Sequence, residues 1–171
     1  ELSISQRIIE SLNRKKKEHN KVHLDAFVKF LTTSNGMSLS MFFKNIYPDD
    51  YIYDVTRKVW YGVNKYGIYE EDTDELLSAR TRICTEMLEI LTTYMDAYIA
   101  SFNPRDDEDK KTIKFYTKVL KDINTKTTSL GQKKNIIETL KELYAVKRLY
   151  KKMNRNIHIF SFNNGVYDLT T

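Results

Sequence analysis

The chain has 171 residues, of which 41% are hydrophobic and 12% aromatic, and it contains only 5 glycines and 2 prolines. This composition excludes a disordered chain and predicts one well-cored domain, with at most a small appendage. A single cysteine, Cys84, excludes a disulfide framework or a cysteine-based zinc site within the chain. Because no apolar run approaches the ~18 residues of a membrane span and no signal peptide is recognisable, we expect an intracellular protein without membrane contact.

Apolar residues at intervals of three and four predict helices in the N-terminal part of the chain. Residues 2–31 contain two such runs, separated by the basic residues 14–17, and therefore predict two helices. Residues 34–36, Ser-Asn-Gly, are of the type that ends a helix, because Asn and Gly accept the left-handed backbone conformation. A third, short helix is predicted over residues 38–46, stopped by Pro48.

The pattern then changes to short runs rich in aromatic and β-branched residues, which favour strands. These runs are residues 51–55, 58–63 and 67–69, and they predict a three-stranded antiparallel meander. Trp60, the only tryptophan, lies in the second run. We expect it to anchor the small sheet against the helices rather than to contact a ligand.

A long helix is predicted after the meander. Residues 70–75 are rich in Asp and Glu, which are favoured at the positive end of a helix dipole. Asp72 and Glu75 have the spacing of a capping box, so we expect Asp72 to be the N-cap. A continuous apolar stripe then extends over residues 76–102, and Pro104 ends the helix.

Two further helices are predicted in the second half of the chain. The acidic residues 105–109 begin the first, in the manner of the preceding helix. Ser129 and Gln132 have the spacing of a second capping box, which opens the next helix, and we expect that helix to break near Ala145. One face of the first helix carries a basic stripe at spacings of four, four and three, made of Lys110, Lys114, Lys118 and Lys121.

The C-terminal residues 160–169, FSFNNGVYDL, contain the Asn-Gly pair of a two-residue hairpin turn, because both residues tolerate positive φ. The sequence shows no other strand-like segment in its second half. We expect this hairpin to pair with the central meander or with sequence beyond the chain, which we interpret as a fragment of a longer protein. Together these elements predict an α+β fold, mainly α-helical with a small antiparallel β-sheet.

Charge is segregated along the chain, although the net charge is only +5. Residues 70–109 contain twelve acidic residues against three basic ones, whereas residues 110–155 contain fourteen basic residues against three acidic ones. Such asymmetry is typical of a nucleic-acid surface, of a charge match within or between subunits, or of solvated helix faces. The sequence leaves these alternatives open.

Residue patterns for catalysis are missing from the chain. Residues 131–134 lack both the first glycine and the magnesium-binding hydroxyl of a phosphate-binding loop. Asp49 and Asp50 flank a proline turn, which favours a turn role over a two-metal site. His19 and His23 have helical spacing but lack a third metal ligand. We therefore predict no catalytic residue, no metal site and no cofactor in this chain.

Two segments carry a resemblance to a known family. One is the strand-rich stretch of residues 51–69 with Val-Trp-Tyr at 59–61, and the other is Phe-Asn-Asn-Gly-Val-Tyr-Asp-Leu at 162–169. They resemble the start and the end of the pre-helicase domain of viral and phage primase-helicases. The resemblance implies that residues 36–171 form this domain and that residues 1–35 are a helical linker from an upstream module.

The resemblance also implies a function. In that family a non-catalytic domain links a primase to a superfamily-three helicase of a large DNA virus, phage or plasmid. The implied parent protein uses ATP and magnesium, forms a homo-oligomer, expected to be a hexamer, and acts at a viral replication site in the host cell. Its implied partners are DNA, bound without sequence specificity, and the primase and helicase modules in cis. Neither enzymatic activity is carried over, since this chain contains neither set of catalytic residues.

Contacts to DNA phosphates require only basic side chains at reachable spacing, and they give affinity without reading sequence. For Tyr150 we expect a core or interface role rather than stacking on a base. The competing hypothesis is a purely structural protein–protein interaction module without DNA contact, in which the acidic segment meets a neighbour's basic segment. The residues predicted to contact DNA are Lys114, Lys118, Lys121, Lys147, Arg148, Lys151, Lys152 and Arg155.

Overall fold

The fold is mainly helical with one small four-stranded sheet, which confirms the α+β class expected from the sequence. The structure, a computed structural model, describes residues 1–33, 37–147 and 149. The elements in chain order are α1 (Ile4–Arg14), α2 (Lys21–Thr32), α3 (Leu39–Ile46), β1 (Tyr51–Asp54), β2 (Val59–Val63), β3 (Tyr69–Glu71), α4 (Leu77–Arg82), a π-helical turn (Ile83–Met87), α5 (Leu88–Ala100), α6 (Asp107–Thr128), α7 (Leu130–Leu143) and β4 (Ala145–Val146).

The two predicted N-terminal helices are confirmed as α1 and α2. Ser3 and Gln6 form a capping box at the start of α1, and the Asn20 side chain caps α2. Ile8 and Phe27 are fully buried and belong to the same hydrophobic core as α3, α5 and α7. The helix-ending role of residues 34–36 lies outside the described residues, and the connection of α1 and α2 to an upstream module stays a prediction.

The predicted meander is confirmed, although its third strand begins two residues later than expected, and the sheet is mixed rather than purely antiparallel. Strand β2 pairs antiparallel with β1 and β3, with Tyr53 opposite Trp60. Strand β4 then adds to β1 in parallel, with Tyr53 opposite Ala145. The expectation that the second half shows no strand before residues 160–169 was therefore wrong, because a two-residue strand is too short to give a periodic signal. The hairpin at residues 160–169 lies outside the described residues.

Trp60 connects the sheet to the helices, as expected. Its ring centroid lies 5.0 Å from that of Tyr53 and 6.0 Å from that of Tyr144, which follows the last turn of α7. On the same side of the sheet, the ring of Tyr51 lies 5.8 Å from Phe43 of α3 and 5.7 Å from Tyr144. This aromatic cluster fixes the sheet against α3 and α7.

The predicted start of the long helix is wrong. Glu75 and Leu76 have positive φ angles of 52° and 54°, and helix α4 begins only at Leu77. The Asp72 carboxylate accepts hydrogen bonds from the backbone N–H groups of Asp74 and Leu76, so it closes a turn instead of capping a helix. Leu76 is 1% exposed, and its burial offsets the ~1–2 kcal/mol that a left-handed conformation costs a non-glycine residue.

The predicted apolar stripe is confirmed, although one helix does not carry all of it. The π-helical turn separates α4 from α5, and π-helical turns add a residue to the helical repeat. The stripe continues through this turn, since Ile83, Met87, Leu91 and Met95 are all fully buried. Helix α5 ends four residues before Pro104. Spacing alone did not reveal the turn, because a buried π-helical turn keeps apolar residues on the core side.

Helices α6 and α7 follow each other almost without a connection. The Asp106 side chain caps α6 by accepting from the N–H groups of Glu108 and Asp109. Ser129 is both the C-cap of α6 and the N-cap of α7. The predicted capping box at Ser129 does not form, because the N–H group that Gln132 would need already donates to the Thr125 carbonyl oxygen at 3.1 Å.

Candidate nucleic-acid interface

Three of the predicted DNA-contacting residues lie together on one exposed face of α6. Lys114, Lys118 and Lys121 follow each other at spacings of four and three, which puts them on one side of the helix over about 10 Å of its length. The opposite side of α6 is buried through Ile123 and Thr127. We call the three residues the open lysine face, because within the described part of the chain none of them has an acidic partner.

The remaining lysines of α6 differ from the open lysine face in having a carboxylate beside them. Their partners lie three or four residues away on the same helix, as is typical of exposed helical ion pairs. One member of the predicted basic stripe, Lys110, belongs to this paired group. The ion pairs are Lys110–Asp107 at 3.0 Å, Lys111–Glu108 at 2.8 Å and Lys126–Asp122 at 3.0 Å.

Lys147 lies on a different element from the open lysine face. It is exposed and directly follows β4, the edge strand of the sheet. The carbonyl oxygen of the preceding Val146 accepts a 3.2 Å hydrogen bond from the backbone N–H of Val55, which holds the chain against β1 at this point. The predicted break near Ala145 is confirmed, since α7 ends at Leu143. Arg148, Lys151, Lys152 and Arg155 lie outside the described residues.

Several side chains of the acidic segment are engaged within the chain. Glu71 lies 3.9 Å from Arg57, and Glu70 accepts a 2.7 Å hydrogen bond from the Asn64 side chain. Glu86 accepts a hydrogen bond from the Tyr47 hydroxyl group. At the start of α6, Asp106 caps the helix, Asp107 and Glu108 pair with lysines of its first turn, and the Asp109 carboxylate accepts from the backbone N–H of Asn103. Much of the negative charge is therefore used for local contacts.

A second group of charged and aromatic side chains lies where α3, the sheet, α4 and α7 meet. Arg82 donates to the Asp50 carboxylate at 2.5 Å, and its guanidinium carbon lies 4.5 Å from the ring centroid of Tyr47. The Tyr144 hydroxyl donates to the Tyr47 carbonyl oxygen at 2.5 Å. We call these residues, with Tyr51, the tyrosine–arginine junction. Burial raises the pKa of Tyr47 and of Tyr144 well above the usual range, and for Tyr47 the hydrogen bond to Glu86 adds to this effect.

The contacts of the acidic residues near Pro48 fit a structural role. Asp50 pairs with Arg82, and the buried Asp54 carboxylate accepts from the N–H groups of Thr56 and Arg57, which closes the turn between β1 and β2. Across the described residues, no group of three or more His, Cys, Asp or Glu side chains is arranged to hold a metal ion. None of the described helices combines the length and apolar character that a membrane span requires.

Sequence reasoning missed one aromatic residue on α6. It gave no role to Phe115, which is 53% exposed. The residues one helical turn before and after Phe115 are Lys111 and Lys118. On a helical projection Phe115 lies about 80° from the buried Ile123, so it falls at the border between the buried and the exposed side of α6.

A scan against protein-family models matches residues 40–171 to the family described as D5 N terminal like. This match covers well over half of the chain. The chain belongs to the D5 N-terminal-like family. This family corresponds to the pre-helicase domain of primase-helicases, which confirms the resemblance noted in the sequence and indicates a DNA-replication context. Neither the curated proteins nor the solved structures that were searched contain a match.

The D5 N-terminal-like family is a non-catalytic N-terminal domain of primase-helicases. The family match begins at residue 40, inside α3, yet the core of the domain extends beyond it. Ile8 of α1 and Phe27 of α2 are fully buried in that core, and the Tyr94 hydroxyl of α5 accepts a 3.0 Å hydrogen bond from the Asn20 N–H. In this member of the D5 N-terminal-like family, two helices before the matched region therefore complete the packing.

Proposed function

We propose that this D5 N-terminal-like domain engages DNA through the phosphate backbone, without reading sequence, as part of a replicative primase-helicase. In this role it also links the primase to a superfamily-three helicase and helps the subunits to associate. The observation that carries the proposal is the open lysine face. Its three exposed ammonium groups are not neutralised by neighbouring carboxylates, so a polyanion can be bound without first breaking an ion pair.

The spacing of the open lysine face suits a strand of phosphates. Lys114 and Lys121 are separated by seven residues, or about 10 Å of helix, and one strand of a DNA duplex carries a phosphate about every 3.4 Å of axis length. Three lysines over this distance are enough to contact successive phosphates. The lysine ammonium group is a flexible point charge and does not impose the planar geometry of an arginine. Such contacts give position and affinity rather than base recognition.

In the full-length protein, we expect a second group of basic residues and an oligomeric assembly to strengthen DNA binding. Lys147 and the residues Arg148, Lys151, Lys152 and Arg155 would supply a second basic strip in each subunit. In a homo-oligomer, expected to be a hexamer, several such strips would act together, so that weak contacts in one domain give strong binding in the assembly. ATP and magnesium belong in this proposal to the helicase and primase modules in cis.

The competing proposal is an interaction module that never contacts DNA, in which acidic side chains of one subunit meet lysines of the next. This arrangement needs carboxylates that are free to reach a neighbour. Asp50, Glu71 and Glu86 instead make contacts inside their own chain. Those contacts favour the DNA proposal, because they reduce the number of carboxylates that are available to a second copy.

The test compares two triple variants of the same helix. K114Q/K118Q/K121Q removes the open lysine face, whereas K110Q/K111Q/K126Q removes the same charge from lysines that already have carboxylate partners. Titration of single-stranded and duplex DNA across salt concentrations gives the slope of log affinity against log salt. Each lost phosphate contact should reduce this slope by about 0.7 to 0.9, so we expect a reduction of about 2 to 3 in the first variant.

The control variant should keep most of the wild-type slope. Equal slopes for the wild type and K114Q/K118Q/K121Q, both in this chain and in the full-length protein, would reject the DNA role. If the same substitutions changed the oligomeric state while DNA affinity stayed constant, the interaction module would be the better description.

A further inference from the structure

Phe115 presents an exposed aromatic ring beside the open lysine face. Its neighbours on the helix surface include Lys111 and Lys118, and 53% of its side chain is exposed. The ring is not free to take any orientation, because its centroid lies 5.1 Å from that of Tyr116, with 77° between the ring planes. Tyr116 in turn lies 5.1 Å from Tyr98, which is 7% exposed. A chain of edge-to-face contacts therefore links the exposed ring to the core.

We propose that Phe115 is a stacking platform for an unpaired base, and that the domain consequently prefers single-stranded DNA to duplex. This proposal rests on the DNA contacts proposed for the open lysine face. An exposed aromatic ring can stack on any base, since every base has a π-face, and lysines on the same helix can bind the phosphates on either side. The combination is therefore tolerant of sequence but selective for unpaired bases.

The surroundings of Phe115 favour a nucleic acid over a protein partner. A docking surface for a protein needs a contiguous apolar patch, whereas Phe115 is flanked by Lys114 and Lys118 of the open lysine face. The charge of these neighbours is complementary to a polyanion. In a duplex, the faces of the bases are covered by stacking within the helix, so the ring can reach a base face only in a single strand.

The experiment uses two single-stranded ligands of equal length and equal phosphate number, one with thymine bases and one abasic. The 171-residue chain is expected to bind the thymine strand at least about fivefold more tightly than the abasic one. Phe115→Ala should abolish this difference while leaving duplex affinity and the salt slope unchanged. Phe115→Trp should retain it. Leu130→Ala, which truncates another exposed apolar side chain at 58% exposure, is the matched control and should behave as wild type.

Each other outcome rejects the stacking proposal in a recognisable way. If Phe115→Ala keeps the preference for the thymine strand, another residue supplies the stacking. If Phe115→Ala weakens binding to both strands equally, the ring supports the helix rather than a base. If it changes only the oligomeric state measured by light scattering, the ring belongs to a subunit contact. Failure of the lysine proposal is separate, because it appears in the salt slope of K114Q/K118Q/K121Q and not in the base preference.

Discussion

The tyrosine–arginine junction and the open lysine face both contain positively charged side chains, but in different surroundings. In the junction, Arg82 has both a carboxylate and two tyrosine rings as partners, and its side chain is 32% exposed. On the open lysine face, three exposed lysines make no ion pair among the described residues, since the nearby Asp122 carboxylate pairs with Lys126 instead. The difference indicates that positive charge contributes to the packing of the fold in the first region, whereas in the second it is exposed to solvent.

Of the changes considered, alkaline pH should lower the free energy of unfolding most. It should act through the buried tyrosines, which include Tyr47 and Tyr144 of the tyrosine–arginine junction. Burial raises the pKa of Tyr47 and Tyr144 in the folded state. It also raises the pKa of Tyr98, a residue of α5, to about 12. Since these values exceed the unfolded value of about 10, the stability they give is complete below pH 10. It is lost as pH rises from 10 through the folded pKa, by at most about 1.4 kcal/mol per tyrosine and pH unit before solvent screening.

Urea unfolding at pH 8, 10 and 11.5 measures this loss. The double variant Tyr47→Phe/Tyr144→Phe should start from a lower stability but show a shallower decline above pH 10, because two of the titrating groups are gone. An identical decline in the wild type and the double variant would contradict the assignment of the alkaline loss to the junction.

Arg82→Ala should have the next largest effect. It removes the 2.5 Å contact to Asp50 and the stacking on Tyr47, and it leaves a half-buried carboxylate without its cation. We expect the free energy of unfolding to fall by about 2 kcal/mol. The matched control is Arg14→Ala, whose side chain is 74% exposed and lies 3.9 Å from Glu10, and it should change stability by less than about 0.5 kcal/mol.

Urea denaturation with equal m-values for all variants checks this difference. A loss for Arg14→Ala as large as that for Arg82→Ala would show that the partners of Arg82 contribute no more than an exposed ion pair.

The open lysine face should show the smallest effect on stability. K114Q/K118Q/K121Q breaks no ion pair and removes the repulsion between Lys114 and Lys118, so the free energy of unfolding should stay constant or rise by a few tenths of a kcal/mol. K110Q/K111Q/K126Q should instead lower it by about 0.3 kcal/mol for each ion pair lost. Thermal unfolding of both variants in one buffer gives the comparison. The opposite order would mean that the open lysine face stabilises the fold.

Helices and strands with a regular pattern of apolar or aromatic residues could be predicted from the sequence. The helical spacing of apolar residues located α1, α2, α3, α6 and α7, and the aromatic runs located β1, β2 and β3. Places where a local capping signal competes with burial of a neighbouring side chain could not be predicted. The capping box at Asp72 was a sound local signal, but the burial of Leu76 displaced the start of the helix, and no property of the sequence indicated this competition. Strand β4 depends on tertiary docking against β1 and leaves no local trace.

The sequence predicted where the lysines of the candidate site lie on α6, but not which of them form ion pairs. Spacing placed Lys114, Lys118 and Lys121 on one face, and the structure confirms that face. The spacing of the lysines could not show that Lys110 has an acidic partner while Lys114 has none, because ion pairing depends on side-chain geometry at each turn of the helix. Phe115 was missed because it lies at the border of the buried side of α6, where helical spacing does not decide whether a side chain is buried or exposed.

Ser129, which ends α6 and begins α7, leaves a single residue to absorb any change in angle between the two helices. Its φ and ψ are held by the hydrogen bond to Thr125 on one side and by the Lys133 N–H, which donates to the Ser129 carbonyl oxygen, on the other. Because both sides of this single connecting residue are hydrogen-bonded, we expect α6 and α7 to keep a fixed angle and to move as one unit. Through Tyr144 and Ala145, the C-terminal end of that unit is joined to the edge of the sheet.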